Sequence, residues 1–305
     1  MDNENLQHNR EEISKKKVAA VGTFDGVHRG HRSVLSVLNA YAQEHDMEPV
    51  AITFSNHPLS IIDSNRTPSA LTPLNKKRNL LKEVGATPLV IPFEESLRCF
   101  SAKEWMKHMK DEYNVVALVV GYDNTFGSDG VNLSLDDYKK LGNEVGIEVI
   151  TAPEIKGVSS SAIRKAVLAG EVEKAREMLG RPYSITAKVT KGNSLGHTIG
   201  YPTANIDPPE GVAIPKPGVY AAIVKTLNDG VKHPAMVNVG KRPTVMRGDN
   251  TVVEAHLIDW FGDLYGKEIT VRFIKRIRDE KKFDSIEALK NQLAKDRETV
   301  INEKL

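Results

Sequence analysis

The first half of the chain carries short apolar runs, rich in β-branched residues, that alternate with segments of helical spacing. The runs cover residues 18–21, 50–54, 89–93, 115–120 and 147–150. A run of this length between turn residues is typical of a strand buried on both faces, and strands that alternate with helices predict a parallel sheet. We therefore predict a doubly wound α/β domain, in which ligands bind beyond the carboxyl ends of the strands.

The pattern changes after residue 183, where polar and apolar positions alternate and long helices are lacking. The alternating segments are 185–189, 219–224, 235–239, 252–257 and 269–274. Short strands separated by Gly and Pro turns predict a small antiparallel β-barrel. A final helix is predicted by a capping box over 284–287 and by an apolar stripe at Ile286, Leu289, Leu293 and Val300. With a boundary at about Pro182, we expect a polar leader over 1–17, the α/β domain over 18–182 and the barrel over 183–305.

Composition narrows the classes of partner and the compartment. The 305 residues carry a formal net charge of +2, which gives no electrostatic reason to expect nucleic acid. The single cysteine, Cys99, excludes an intrachain disulfide and suits a reducing cytoplasm, and we interpret it as a core residue. The leader lacks the apolar region of a signal peptide, and no apolar run approaches the length of a membrane span. The oligomeric state stays open.

The stretch 22–31, Gly-Thr-Phe-Asp-Gly-Val-His-Arg-Gly-His, lies between a predicted strand and a predicted helix. At such a turn, free backbone N–H groups and the positive end of the helix face an anion. His28 and His31 share one face if the helix has begun, and Gly30 lets a phosphate chain approach. Three interpretations are open: a nucleotidyltransferase whose imidazoles bind ATP phosphates, a zinc site, or two solvent-facing histidines. The strand–turn–helix context favours the first, since no Cys or acidic ligand set lies nearby.

The same stretch resembles the signature of the prokaryotic bifunctional riboflavin kinase/FAD synthetases, and the resemblance covers nearly the whole chain. It implies that the α/β domain is a nucleotidyltransferase, an FMN adenylyltransferase in which His28 and His31 are catalytic. The residues that it implies for ATP binding here are Gly22, Phe24, Asp25, His28 and His31.

Two further elements of this family follow neighbouring strands. Residues 53–58 resemble its Thr-Phe-x-x-His-Pro element, with Asn56 in the place of a proline, which predicts a softer loop. Residues 121–127 resemble its Gly-x-Asp-Phe-x-Phe-Gly element, with Asn124 in the place of a phenylalanine. The resemblance implies that His57, Asp123 and Phe126 contact FMN. The residues alone leave a surface-loop histidine and an ordinary turn open.

The segment 158–164, Val-Ser-Ser-Ser-Ala-Ile-Arg, opens a predicted helix. Serines are good N-caps, so simple capping is one interpretation. Three hydroxyls followed one turn later by an arginine also form an anion site. The segment resembles the family's Ser-Ser-Thr-x-Ile-Arg element, which implies that Ser160, Ser161 and Arg164 bind ATP phosphates.

In the barrel, the stretch 191–205 combines glycines spaced four apart with a Pro-Thr-Ala-Asn sequence. The glycines allow the backbone to wrap round phosphates. Thr203 and Asn205 point the same way on an extended chain and offer the hard oxygen ligands that Mg²⁺ takes, although a plain Gly/Pro loop is the alternative. The stretch resembles the riboflavin kinase signature, with His197 in the place of an arginine. The resemblance implies an Mg²⁺ site at Thr203 and Asn205 and an ATP site at Gly192, Gly196, Gly200, Thr203 and Asn205.

Glu254, on a predicted strand, completes the candidate residues. It is either a solvent-facing glutamate or, as the resemblance implies, the general base that takes the proton of the ribityl 5′-hydroxyl. The whole resemblance implies an enzyme that phosphorylates riboflavin to FMN with MgATP and adenylylates FMN to FAD with release of pyrophosphate. Two rivals stay open. In one, the barrel binds flavin without phosphorylating it, because His197 replaces a permanent cation. In the other, the chain is a flavin-sensing regulator acting on RNA, although it lacks a basic stripe with interleaved aromatics.

Overall fold

The computed structural model describes residues 15–63, 67–122, 125–190, 199–226, 230–241 and 251–303. By its internal contacts the chain divides into two compact units. The first extends to Pro68 and resumes over Thr72–Val158, and the second joins Ser69–Leu71 to the chain from Ser159 onward. Residues 1–14 of the predicted leader lie outside the described residues. The domain boundary at Pro182 stays a prediction.

The first unit is built on a parallel sheet, which confirms the predicted fold class. Its described strands have the order β3-β2-β1-β4-β5. Their bounds are β1 Lys17–Val21, β2 Glu48–Phe54, β3 Thr87–Ile91, β4 Val115–Val120 and β5 Glu148–Thr151. Val18 and Ala20 pack into one apolar layer and Ala19 and Val21 into the other, so β1 is buried on both faces. Because the strand order reverses between β1 and β4, the crevice for a ligand lies beyond their carboxyl ends.

Helices cover both faces of this sheet. Those described are α1 Arg29–Glu44, α2 Leu59–Ile62, α3 Leu74–Glu83, α4 Glu95–Cys99, α5 Ala102–Tyr113 and α6 Leu135–Val145. A capping box of Ser101 and Glu104 starts α5, and Ser134 with Asp137 forms another at α6. The interpretation of Cys99 as a core residue was wrong: this residue is exposed. It ends α4, a one-turn helix that buries none of its residues.

The second unit contains the predicted antiparallel barrel. Its described strands close in the order β10-β7-β6-β11-β8-β9. Their bounds are β6 Tyr183–Thr190, β7 Ala204–Ile206, β8 Gly218–Thr226, β9 Lys232–Lys241, β10 Thr251–Leu257 and β11 Glu268–Arg278. Two helices, α7 Ser160–Ala169 and α8 Val172–Leu179, precede the barrel, and α9 Ile286–Asn302 follows it. Tyr220 and Phe273 are fully buried, with their ring centroids 5.4 Å apart.

Helix α9 lies against the outer face of the barrel, where Val300 packs with Ala221 and Met236. The helix is capped by Ser285, whose hydroxyl accepts the N–H of Ala288 at 3.1 Å, and not by the predicted box over 284–287. The prediction that Ile286 belongs to the apolar stripe was wrong: this residue is 61% exposed, because the first turn precedes the part of the helix that packs. Among the described helices, none combines the length and the apolar character that a bilayer crossing needs.

Candidate active sites

The loop between β1 and α1 holds two residues in left-handed backbone conformations. Phe24 has φ +46° and Val27 has φ +40°. Such values are rare for a bulky or β-branched residue, cost about 1–3 kcal/mol each, and cluster at functional sites. The turn is closed by a hydrogen bond from the N–H of Val27 to the carbonyl of Phe24, at 3.1 Å. Both side chains are buried, so packing as well as hydrogen bonding holds the strained backbone.

His28 caps α1 with its own ring. Its Nδ1 accepts the N–H of His31 at 3.2 Å, and the two rings stack with centroids 3.6 Å apart. Because Nδ1 accepts a hydrogen bond, a neutral His28 carries its proton on Nε2. His28 is only 6% exposed, which argues against the interpretation as solvent-facing histidines. Within the described residues, no three His, Cys, Asp or Glu side chains form a metal-binding group, so the zinc interpretation gains no support.

Gly30 has a second reason to lack a side chain. A Cβ at this position would lie 3.1 Å from Cε1 and 3.2 Å from Nδ1 of His28. These distances are tighter than ordinary van der Waals contact, so a methyl group would press on the imidazole. The glycine therefore preserves the histidine cap as well as room for a phosphate chain.

The rest of the loop is anchored by polar contacts with its neighbours. The carbonyl of Thr23 accepts two hydrogen bonds, one from Nζ of Lys77 at 3.0 Å and one from Oγ1 of Thr53 at 3.1 Å. A carboxylate oxygen of Asp25 accepts the N–H of Thr72 at 3.0 Å, and Asp25 is buried. Asp25, predicted to bind ATP, thus also has a role in holding the loop. The N–H of Gly22 donates to the carbonyl of Ile52 at 3.0 Å and continues the β1–β2 ladder.

The loop after β2 carries His57, whose Nδ1 accepts the N–H of Leu59 at 3.1 Å and so starts α2. The neighbouring Asn56 binds Phe93 twice. Its Nδ2 donates to the carbonyl of Phe93 and its Oδ1 accepts the N–H of Phe93, both at 2.9 Å. The amide that replaces proline thus ties this loop to the segment that follows β3, and the softer loop stays a prediction.

Phe126 lies beyond β4, with its ring against Tyr138 at a centroid distance of 4.7 Å. The Tyr138 hydroxyl bonds to both the N–H and the carbonyl of Phe126, at 2.9 and 2.8 Å. This segment is therefore fixed to the core. The other residue predicted to bind FMN in this loop, Asp123, lies outside the described residues, as does Asn124.

The serine segment belongs to the second unit. Ser159 is the N-cap of α7 and accepts the N–H of Ala162 at 3.1 Å, so the capping interpretation holds for this serine. Ser160 and Ser161 form the first turn, and Nε of Arg164 donates to the carbonyl of Ser69 at 2.6 Å. Phosphate binding by Ser160, Ser161 and Arg164 stays a prediction.

In the barrel, the strand register brings three polar side chains into one row. Glu254 on β10 is paired with Asn205 on β7 and with Asn238 on β9. Directly paired residues lie on the same face with their Cβ atoms about 4.5–5.5 Å apart. The row lies on the strand face opposite to the buried Val253 and Ala255. Glu254 therefore faces amide groups on both neighbouring strands.

This row opens into a cavity of about 440 Å³ between the strands and α9. Thr203 lines it together with Asn205, as strand alternation predicts, and Asn205 is only 6% exposed. Oxygen donors at Thr203, Asn205 and Glu254 are the groups that could hold a hard cation. The apolar part of the wall is formed by Ile199, Val219, Met236, Phe283, Leu289 and Leu293.

A second cavity, of about 850 Å³, lies on the other side of the same segment. It shares Thr203 and Asn205 with the first cavity. Its lining includes Trp260, Phe261 and Tyr265, and Phe261 is 93% exposed. Gly200 also lines it, with φ +85° and open space at the position that a Cβ would occupy. Three positions of the glycine-rich stretch, Gly192, Gly196 and His197, lie outside the described residues.

Three residues of these sites were given no role by reasoning from the sequence. Nδ1 of His256 lies 2.8 Å from the carbonyl of Pro202 and so holds the segment that leads to Thr203. Asn238 lies beside Glu254 because of the pairing register of β9 and β10, which the sequence does not indicate. Lys77 is a buried cation with contacts to two strand ends, and a signal for it exists, since it lies three residues before Leu80 and four before Leu81 on the apolar face of α3.

Comparisons with known proteins agree with both halves of this description. The family model for FAD synthetase matches residues 10–164, and that for riboflavin kinase matches residues 179–303. A bifunctional riboflavin kinase/FMN adenylyltransferase from Bacillus subtilis is 35% identical over 96% of this chain and 94% of its own length. Its Escherichia coli counterpart is also 35% identical, over 92% of this chain and 90% of its own length. A crystal structure titled a macrolide-efflux protein from Streptococcus pneumoniae matches 97% of both chains at 31% identity, with a TM-score of 0.88.

Proposed function

The chain belongs to the family of bifunctional riboflavin kinase/FMN adenylyltransferases, and from this premise we propose which of its residues carry each reaction. It phosphorylates riboflavin to FMN, and it adenylylates FMN to FAD. Family models match both halves, which favours this function over a flavin-sensing regulator and over a barrel that only binds flavin.

In the first unit, the FMN phosphate attacks the α-phosphorus of ATP, and pyrophosphate leaves. A phosphate is an anion at neutral pH, so the reaction needs no general base, only positioning and charge stabilisation. We assign the donor role to Nε2–H of His28, with the first N–H groups of α1 beside it. The support is the hydrogen bond from the His31 N–H to Nδ1 of His28, which fixes both the tautomer and the ring plane. His31, stacked on it, completes the pair.

The remaining assignments in this reaction follow the family's elements. ATP is held by Gly22, Phe24, Asp25, Ser160, Ser161 and Arg164, and FMN by His57, Asp123 and Phe126. For His57 the support is that Asn56 fixes its loop to the neighbouring strand end. For Phe126 it is the attachment to Tyr138 in the core. Rigid supports of this kind keep a reacting group within the small error that transfer chemistry tolerates.

In the barrel, Glu254 accepts the proton of the ribityl 5′-hydroxyl as that oxygen attacks the γ-phosphorus of ATP, and ADP leaves. The supporting observation is the row of Asn205, Glu254 and Asn238, which places the carboxylate against the cavity. We assign the 440 Å³ cavity to riboflavin, since its apolar wall suits a flat aromatic ring. We assign the 850 Å³ cavity, with its exposed aromatic side chains, to the nucleotide. The shared wall at Thr203 and Asn205 is then where the two substrates meet.

We further propose that the kinase uses Mg²⁺ held by the Thr203 hydroxyl and the Asn205 amide oxygen. Both residues line both cavities, and Mg²⁺ takes one or two protein oxygens together with waters and substrate phosphates. The cation supplies neutralisation of the phosphate charge. Gly192, Gly196 and Gly200 are assigned to the phosphates. We also propose a cytoplasmic location, on the basis of the cysteine content. The net charge supports small-molecule partners, with no nucleic acid or membrane among them.

The assignment is tested by a pair of variants in the full chain. Glu254→Gln keeps the size of the side chain and removes the base, and His28→Gln removes the imidazole. Products from riboflavin and from FMN with MgATP are separated by chromatography. We expect Glu254→Gln to lose FMN formation by about 10²–10⁴-fold while still converting FMN to FAD, and His28→Gln to show the reverse pattern. Equal effects of either variant on both reactions would contradict the division of labour.

A further inference from the structure

We propose that Lys77 is a positioning residue of the adenylyltransferase site: its ammonium group joins the ends of β1 and β2 and thereby fixes the loop that carries His28. The proposal rests on the function proposed for that site. Nζ of Lys77 donates to the carbonyl of Thr23 at 3.0 Å and to that of Phe54 at 3.2 Å. Thr23 lies two residues beyond β1, and Phe54 is the last residue of β2. One cation therefore binds the backbone at the two strand ends that lead to His28 and to His57.

The environment of Lys77 is unlike that of a lysine that only covers apolar surface. The residue is 8% exposed, whereas a long cationic side chain ordinarily extends to place its charge in water. Burial lowers the pKa of its ammonium group, and the Asp25 carboxylate offsets part of that effect. A charge taken out of water is unfavourable unless it is paired and hydrogen-bonded. Here both hydrogen bonds of the ammonium group go to main-chain carbonyls, those of Thr23 and Phe54, which give the buried cation its partners.

The bond to Thr23 bears directly on the strained part of the loop. The peptide that follows the Thr23 carbonyl leads into Phe24, with φ +46°, and Val27, with φ +40°, lies just before His28. A strained backbone persists only when its surroundings over-determine it. The Thr23 carbonyl is held by Lys77 and by Thr53 Oγ1 together, so rotation of this peptide breaks two hydrogen bonds. Relaxation of the loop would move the cap of α1, and with it the His28 ring.

Lys77→Met tests this link, because methionine has a similar length and no hydrogen-bond donor. A displacement of about 1 Å at a reacting group costs about 10²-fold, so we expect kcat for FAD formation from FMN to fall by about that factor. The KM for ATP should change less than about threefold, since positioning affects the transition state more than ground-state binding. Lys77→Arg, which keeps the charge and the donors, should recover at least about tenfold of this loss. Lys82 is an exposed lysine on the same helix, so Lys82→Met is the matched control. Riboflavin phosphorylation, which belongs to the other unit, is measured in each variant as a second control.

A kcat for Lys77→Met within about threefold of the wild type would overturn the proposal, as would a loss that Lys77→Arg does not relieve. Hydrogen exchange of β1 and β2 shows whether Lys77→Met keeps the unit folded. If it does not, Thr53→Val decides, because it removes the other bond to the same carbonyl without changing a charge. A fall in kcat supports the proposal there, and an unchanged kcat overturns it. His28→Gln separates a failure of the proposed function from a failure of this inference. If His28→Gln keeps full FAD formation, the function proposed for the site is wrong. If His28→Gln loses FAD formation and Lys77→Met does not, only the inference about Lys77 is wrong.

Discussion

Arg278 on β11 and Asp296 on α9 form an ion pair that joins α9 to the barrel and whose carboxylate is buried. Nε of Arg278 lies 3.1 and 3.0 Å from the two carboxylate oxygens of Asp296, and Nη2 lies 2.8 Å from Oδ2. Gln292 donates to Oδ1 of the same carboxylate at 3.0 Å, and Asp296 is 1% exposed. Because Arg278 also lines the cavity assigned to riboflavin, this pair connects the stability of the unit to its substrate site.

The change Asp296→Asn removes the negative charge and keeps the size of the side chain. Removing one partner of a fully buried ion pair costs about 3–5 kcal/mol. Two features reduce this figure here: the Arg278 side chain is 20% exposed, so water screens its charge, and the amide retains one acceptor. We therefore expect a loss of about 2–3 kcal/mol in the free energy of opening α9 from the barrel, or about 30- to 150-fold in the population of open molecules.

Hydrogen exchange measured by mass spectrometry resolves this change by peptide. Peptides from β11 and α9 should exchange about 30- to 150-fold faster, whereas the exchange rates of peptides from β1 and β4 should not change. The KM for riboflavin should rise, since Arg278 is released from one side of the cavity. The control is Asp259→Asn, at an exposed pair with Arg297 with N–O distances of 2.7 and 2.9 Å, and such surface pairs contribute about 0–1 kcal/mol. Equal exchange in the two variants would refute the reasoning from burial.

Three further changes test single features of the two sites. Gly30→Ala should favour the helix by about 1 kcal/mol while lowering FAD formation, because the new methyl group lies 3.1 Å from the His28 ring; an unchanged rate would contradict this. Asn205→Ala should raise the Mg²⁺ concentration that half-saturates riboflavin phosphorylation by at least about tenfold, measured by titration, with FAD formation from FMN as the control. Asn56→Ala removes two hydrogen bonds to Phe93 and should raise the KM for FMN. Hydrogen exchange in the loop after β2 should become faster, and an unchanged exchange rate would show that other contacts hold the loop.

The sequence predicts those features that depend on local periodicity and on motifs. Buried strands such as β1 and β4 are continuous apolar runs, and the site residues of the first unit follow strand ends, as they must in a parallel sheet. The capping box at Ser101 is equally local. The exposed Cys99 was misjudged because a cysteine gives no periodic signal of its own.

Features that depend on tertiary contacts are not in the pattern. Lys77 lies in the polar sequence Asn-Lys-Lys-Arg-Asn, and only its spacing to Leu80 and Leu81 indicates that it turns inward. The hydrogen bonds of Asn56 to Phe93 join loops 37 residues apart. A substitution that reads as the loss of a rigid proline is therefore compensated by a partner that no local rule identifies.

The two sites also differ in what specifies their geometry. The first depends on one strained loop and one helix cap, so single contacts such as those of His28 and Thr23 decide its shape. The second depends on strand register, since Glu254 meets Asn205 and Asn238 only because β10 is paired at these positions. A slip of one residue would turn the carboxylate to the opposite face and break the pairing of Val253 and Ala255 in the core. The barrel core therefore protects the kinase row against displacement, whereas the adenylyltransferase loop needs dedicated polar contacts to achieve the same.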